Sequence, residues 1–319
     1  MKYFYPEKSS APATGLFWLP VVFCLVVLLS SGCDRQEKTP QVSLTERVEK
    51  IEPPRGNIDP DAVKIAIAAM ISPKETYNSY KELVNLVSEK LGRPIQIVQR
   101  KTYQEVNDLL EQNLIDAAFV CTGAYVKGHD KFGMELLVAP VVNGAPLYYS
   151  YIIVHRTSVI TDLEGLRNKE FSFTDPMSNT GKAAPTSMLA AMGESPESFF
   201  SETLFTYSHD NSIKAVAHKI VAGAAVDSLV WDYLHEKNNS DTLQTRIIQR
   251  SEPYGIPPFV AAPGTDPVLK EKLQQILLEM HNSENGKQIL QKIMIERFVE
   301  VNDDIYDSVR KMSMGSANK

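Results

Sequence analysis

From residue 63 to residue 121 the apolar positions alternate between two periods. Residues 63–70 (VKIAIAAM) alternate apolar and small or polar positions and are rich in β-branched side chains, which predicts a strand. Residues 77–91 then set Tyr80, Leu83, Val84, Val87 and Leu91 at helical spacing, and Gly92 follows as a stop. Residues 94–99 (PIQIVQ) read as a second strand, and residues 103–113 as a helix with Val106, Leu109 and Leu110 on one face. Residues 114–121 (LIDAAFVC) are largely apolar, as in a strand covered on both faces. A β-α-β-α-β run of this kind predicts a parallel sheet with right-handed crossovers.

The same alternation returns further on. Residues 135–142 and 147–155 read as strands on either side of Asn143-Gly144, carrying the chain toward a second lobe. There the pattern predicts a strand at 170–174, a helix at 178–192, a strand at 203–207 and a helix at 211–222. A short strand at 224–228, a helix at 229–236 and a returning strand at 245–249 complete it. Pro253, Gly255, Pro257 and Pro258 mark a bend, residues 259–262 are a strand, and the chain reads as helical from 266 to about 312. The middle, 149–252, is therefore inserted into a lobe built from 62–148 and 253–319. Two α/β lobes joined by two crossings make a hinge with a cleft, a common place for a ligand.

The amino-terminal pattern differs. Lys2 and Lys8 precede an apolar run at 15–29, then Ser30, Ser31, Gly32 and Cys33. The run is shorter than the ~18 residues of a spanning helix and has the three regions of a secretory signal. Small residues ending in a cysteine resemble a bacterial lipoprotein signal. That resemblance implies a signal peptide at 1–32 and lipidation of Cys33, leaving 287 residues of net charge −7. The alternative, an uncleaved anchor helix, also puts the remainder outside the cytoplasm. Residues 33–61, polar and with Pro40, Pro53, Pro54 and Pro60, read as a lipid-anchored flexible tether spanning roughly 30 Å.

Composition narrows the classes. The chain has 319 residues, 43% hydrophobic and 23% charged, about two domains' worth of ordinary globular sequence. A net charge of −6, without clustered basic residues, disfavours nucleic acid as a partner. Cys121 is left without a partner thiol and ends an apolar strand, as a buried, inert thiol does. The histidines lack metal-ligand spacing, so neither a metal nor another cofactor is expected.

Ligands of open parallel sheets bind beyond the carboxyl ends of the strands. That rule selects the residues after each predicted strand, and Ser178–Asn179–Thr180–Gly181 is the most informative group. Hydroxyl and amide side chains precede a helix there, beside a glycine that admits close backbone approach. Unpaired N–H groups at a helix start hold an anion, and hydroxyls add donors without fixed charge. Ser, Thr and Asn are also ordinary helix caps, so the cluster alone leaves both readings open.

The group belongs to a longer likeness. EKLG at 89–92, LIDAAFVCTGAYV at 114–126, LYYSYIIVHRTS at 147–158, DPMSNTGKAAPTSML at 175–189, SHDNSIKAV at 208–216 and AAVDSL at 224–229 occur in this order. Together they resemble the periplasmic solute-binding proteins of phosphonate, phosphite and phosphate ABC transporters. Asn179 and Thr180 replace the Thr and Ser usual in that family. The resemblance implies the type II periplasmic-binding-protein fold, with two α/β lobes, a hinge and an inter-lobe ligand cleft. It also implies that Ser178, Asn179, Thr180 and nearby N–H groups hold the phosphorus-bearing group, with His209 as a further donor. Tyr77 and Thr122 would close from the other lobe, and Asp227 would face the rest of the ligand. The roles of Lys182 and Tyr254 stay open.

The leading expectation is a monomeric lipoprotein on the periplasmic or cell-surface face of the membrane. It would capture a small phosphorus oxyanion and deliver it to an ABC permease in the inner membrane, with no catalytic residue. A ligand-binding sensor domain reporting to a membrane kinase or chemoreceptor is the alternative. An enzyme on the same fold is disfavoured, because no nucleophile elbow, P-loop or HExxH motif occurs.

Overall fold

The computed structural model describes residues 61–70 and 73–317, with side chains among them except at 73–79 and 313–317. Signal, Cys33, nearly all of the tether and the Tyr77 side chain lie outside the described residues.

In chain order the elements are β1 (Val63–Ile67), α1 (Pro73–Leu91), β2 (Ile95–Val98), α2 (Tyr103–Glu111), β3 (Ala117–Phe119), α3 (Thr122–Phe132) and β4 (Glu135–Val141). Next come β5 (Leu147–Tyr148), β6 (Ser150–His155), β7 (Glu170–Phe173), a π turn (Asn179–Ala183), α4 (Ala184–Ala191) and β8 (Glu202–Phe205). α5 (His209–Ala217), β9 (Gly223–Asp227), α6 (Ser228–Glu236), β10 (Thr245–Arg250), β11 (Tyr254–Gly255) and β12 (Phe259–Ala261) follow. The chain ends through α7 (Pro267–Glu279), α8 (Glu284–Lys292), β13 (Arg297–Val299) and α9 (Asp307–Ala317).

Two sheets result. The first has the order β13-β4-β12-β3-β1-β2, with β1 parallel to both β2 and β3 and β12 antiparallel to its neighbours β3 and β4. The second has the order β10-β6-β9-β7-β8. Each is covered on both faces by apolar clusters. Phe119, Phe259 and Phe298 pack one face of the first sheet, and Phe171, Phe173 and Phe199 one face of the second. These strands are short, so the helices that cover them carry much of the apolar burial.

Residues 147–155, expected as one strand, break at Tyr149. Its N–H donates to Ser228 Oγ and its carbonyl accepts from the Ser228 N–H, both at 3.0 Å. β5 therefore pairs with β11 in a ribbon of its own, while β6 joins the second sheet. Ser150 and Ser251 tie the two crossings together: the Ser150 N–H donates to Ser251 Oγ and the Ser251 N–H to the Ser150 carbonyl, each at 2.9 Å.

The helix expected over 266–312 is not continuous. Ser283 caps a new helix by accepting from the Gly286 N–H at 3.1 Å. Met294, at φ 59°, then turns the chain into β13, which pairs antiparallel with β4. An open strand edge offers backbone partners that outcompete helical continuation. α9 afterwards packs on α3 and also reaches the π turn and α4. The described residues form one compact unit.

Candidate ligand-binding site

The π turn is built by its own sequence. Ser178 is extended (φ −68°, ψ 128°), and its Oγ accepts from the Gly181 N–H at 2.9 Å. Pro185 supplies no N–H to the next turn, and the Ala183 and Ala184 N–H groups reach five residues back, to Ser178 and Asn179. Gly181 is required by space: a Cβ there would lie 2.5 Å from Thr174 Oγ1 and 2.9 Å from Ser178 Oγ. Thr180 is held from below by its carbonyl, which accepts from Ser150 Oγ at 2.6 Å.

Ser178, Asn179 and Thr180 are each at most 1% exposed. Asn179 Oδ1 and Thr180 Oγ1 have no hydrogen-bond partner in the protein, and neither do Ser208 Oγ, His209 Nε2 and Tyr103 Oη. Buried polar atoms are nearly always paired, and each orphan costs about 1–3 kcal/mol. These orphans make the turn and its surroundings the candidate site.

His209 shows what the site wants. Its Nδ1 lies 3.1 Å from the Asp227 backbone nitrogen, a donor, so Nδ1 accepts. Thr174 Oγ1 stands 3.0 Å from the same atom. The ring proton is therefore on Nε2, which faces no protein acceptor. Complete burial lowers the imidazole pKa to about 3, so the ring is neutral. It is a donor without charge, awaiting an acceptor.

The first sheet's lobe closes over the turn. The Tyr103 N–H donates to Asp175 Oδ2 at 3.2 Å, while Asp175 Oδ1 accepts from the Met177 N–H at 2.7 Å. The His209 N–H donates to the Met70 carbonyl at 3.0 Å. Gly123 at the start of α3 abuts the Met177 carbonyl and the Asn179 nitrogen, leaving no room for a Cβ. The Asn179 and Gly123 N–H groups face the Cys121 sulfur and favour its thiolate, but burial outweighs them and pushes the thiol up to about 11.

The residues named from sequence fall in different places. Ser178, Asn179, Thr180 and His209 come together. Thr122 is buried in the same region, but its Oγ1 donates to the Gly255 carbonyl at 2.8 Å, so this hydroxyl is engaged with the hinge ribbon. Asp227 caps α6, accepting from the Leu229 N–H at 2.7 Å, and burial raises its carboxyl to about 7. Lys182 turns aside: its amine lies 3.9 Å from the Phe173 ring centre, and burial lowers its pKa. Tyr254 packs edge-on to Tyr148 and directs its hydroxyl to Met312 Sδ at 3.7 Å.

Two tyrosines escaped sequence reasoning. Tyr148 Oη accepts from Asn179 Nδ2 at 3.1 Å, and the Tyr103 hydroxyl sits fully buried among Cys121, Asp175, Asp227 and Tyr148. Burial first, then these neighbours, raises the Tyr103 pKa well above the ordinary tyrosine value. The sequence signal available was position: Tyr103 follows Thr102, which caps α2 at the carboxyl end of β2.

Two α/β lobes, a doubly crossed hinge and a buried, uncharged set of unpartnered polar groups between them define a periplasmic binding protein of the two-lobed solute-capturing kind. Residues 65–306 match the family described as "ABC transporter, phosphonate, periplasmic substrate-binding protein", and the chain belongs to it. Among curated proteins it is 21% identical over 237 residues to the "Phosphonates-binding periplasmic protein" of Escherichia coli, covering 73% of this chain and 70% of that one. Among solved structures it is similar to a binding-protein component of an ABC phosphonate transporter from Pseudomonas aeruginosa. The TM-score is 0.74 at 22% identity, over 80% of this chain and 86% of the other. PhnD1 from Prochlorococcus marinus, in complex with methylphosphonate, aligns at TM-score 0.73 and 16% identity, over 82% of this chain and all of that one. Among the described residues no helix is long and apolar enough to cross a membrane.

Proposed function

We propose that this chain captures a small phosphorus oxyanion, a phosphonate, phosphite or phosphate, and presents it to an ABC permease of the inner membrane. It acts as a monomer held to the membrane through acylated Cys33. The observation that carries the ligand reading is His209: a neutral imidazole whose Nε2–H has no protein acceptor, together with the equally unpartnered hydroxyl of Thr180. An anion oxygen supplies what both lack. Ser178, Asn179 and Thr180 surround the same group, Tyr103 approaches it from the other lobe, and Asp227 stands where the substituent leaves it. Tyr77 and Thr122 belong to the closing lobe.

Binding by neutral donors explains how an anion is held and still released. Each hydrogen bond to a charged group contributes about 1.5–3 kcal/mol, so four or five suffice without a lysine or arginine. The test is calorimetric titration of the mature chain carrying Cys33→Ser, unfolded and refolded to remove carried-over ligand. Methylphosphonate, phosphite and phosphate are the ligands, with sulfate and acetate as controls. Saturable binding of a phosphorus compound, absent with acetate, is expected. A folded sample that gives no heat with any phosphorus compound overturns the reading.

A further inference from the structure

A second space adjoins the oxyanion site. It is a cavity of about 110 Å³ between the two lobes, where the carboxyl ends of β1, β3 and β4 face the first turn of α6. Met70, Tyr80, Phe119, Leu229, Pro257 and Met294 line it. Asp227 is shared between the two: it borders the cavity, and its N–H donates to His209 Nδ1 at 3.1 Å.

Among the described lining residues, only Asn143, Asp227 and Asp232 carry a purely polar side chain. Both carboxylates already accept hydrogen bonds from the protein. Asp227 accepts from the Leu229 N–H at 2.7 Å, with the Val230 N–H also directed to it. Asp232 accepts from the Tyr151 hydroxyl at 3.3 Å and lies in the field of Arg250. An ammonium placed here would lose its water among walls that are mostly apolar, where the two acids already hold other donors. A hydrocarbon group would lose nothing and bury apolar surface.

We propose that this cavity receives the carbon substituent of the ligand, and that the substituent is an uncharged alkyl or aryl group of about four to six carbons. The size follows from apolar cavities of on the order of 150 Å³ accepting benzene. The inference rests on the phosphorus-oxyanion reading of the neighbouring site and names the substrate class of that site.

Propylphosphonate and 2-aminoethylphosphonate have the same shape and differ by a methyl against an ammonium, so they divide the two possibilities directly. Titration of the mature Cys33→Ser chain with methyl-, propyl-, butyl- and phenylphosphonate should show dissociation constants falling about fourfold per added methylene. Propylphosphonate should bind more tightly than 2-aminoethylphosphonate. Leu229→Ala should reduce the preference for butyl- over methylphosphonate on the order of tenfold. Tighter binding of the aminoethyl compound, or affinity that does not rise with chain length while methylphosphonate still binds, overturns the inference alone. An unchanged butyl-to-methyl preference in Leu229→Ala does the same. No binding of any of the compounds sinks the oxyanion reading beneath it.

Discussion

In the proposed site His209 is the central residue, because its two nitrogens are differentiated by the backbone. The Asp227 N–H fixes the tautomer, and burial keeps the ring neutral. Replacing it with alanine removes one donor to a charged group, and ligand affinity should fall about 10- to 100-fold by calorimetry. Its folded pKa is lowered, so its contribution to stability is whole above pH 6.5 and is lost as the pH falls from there toward 3. Asp227 has the opposite sign. Its folded pKa is raised from 3.8 to about 7, so its contribution is whole below pH 3.8 and is lost as the pH rises through 7. Asp227→Asn keeps an oxygen to cap α6 and removes the titration. Relative to the unaltered protein it should therefore gain about 1–3 kcal/mol between pH 5 and pH 8, read as a rising difference in melting temperature. A difference that stays constant with pH would mean that Asp227 is ionised throughout. Sequence showed both residues as neighbours of a strand end, but not that one orients the other, since 18 positions separate them and only the sheet brings them together.

Among the elements, the π turn was half visible beforehand. The order hydroxyl, amide, hydroxyl, glycine ahead of a helix was plain, because caps and anion donors are local chemistry. Its width was not, because that depends on Pro185 and on the Thr174 side chain packing behind Gly181. Gly181→Ala should push Thr174 off His209, lower affinity at least tenfold and destabilise the fold by about 1–3 kcal/mol, measured by titration and denaturant unfolding. If affinity and stability both survive, the turn adapts and its geometry is not what orients the imidazole. The carboxyl-terminal elements depart from the periodic pattern for a related reason. Residues 266–312 keep a helical apolar rhythm, yet β13 forms because β4 presents an edge to it. Period reports local preference, whereas edge pairing is a tertiary event.

For the molecule as a whole, the alternation of periods predicted two α/β lobes, and the structure has one sheet in each. What the sequence could not display is how closely they meet. Gly123 on α3 is pressed against the Met177 carbonyl, so the closed arrangement tolerates no side chain there. Gly123→Ala lies on a helix and suits it, so the lobes should fold normally while their closure is blocked. The expectation is an unchanged or slightly raised melting temperature without ligand, a loss of affinity of 10-fold or more, and no ligand-induced compaction in small-angle scattering. Compaction equal to that of the unaltered protein would show that the contact at Gly123 yields. Tyr103 and Tyr148 went unnoticed in the sequence for the same reason. Their hydroxyls matter only once the two lobes lie against each other.

Cys121 follows from that closeness. Cys24 and Cys33 precede the described body, so Cys121 is its one thiol, sealed where the lobes touch and too weakly acidic to react while sealed. Any reagent that modifies it has to wait for the protein to part. The rate of labelling is then a clock on spontaneous opening, in unlabelled native protein, with the ticking slowed by whatever compound keeps the two halves together.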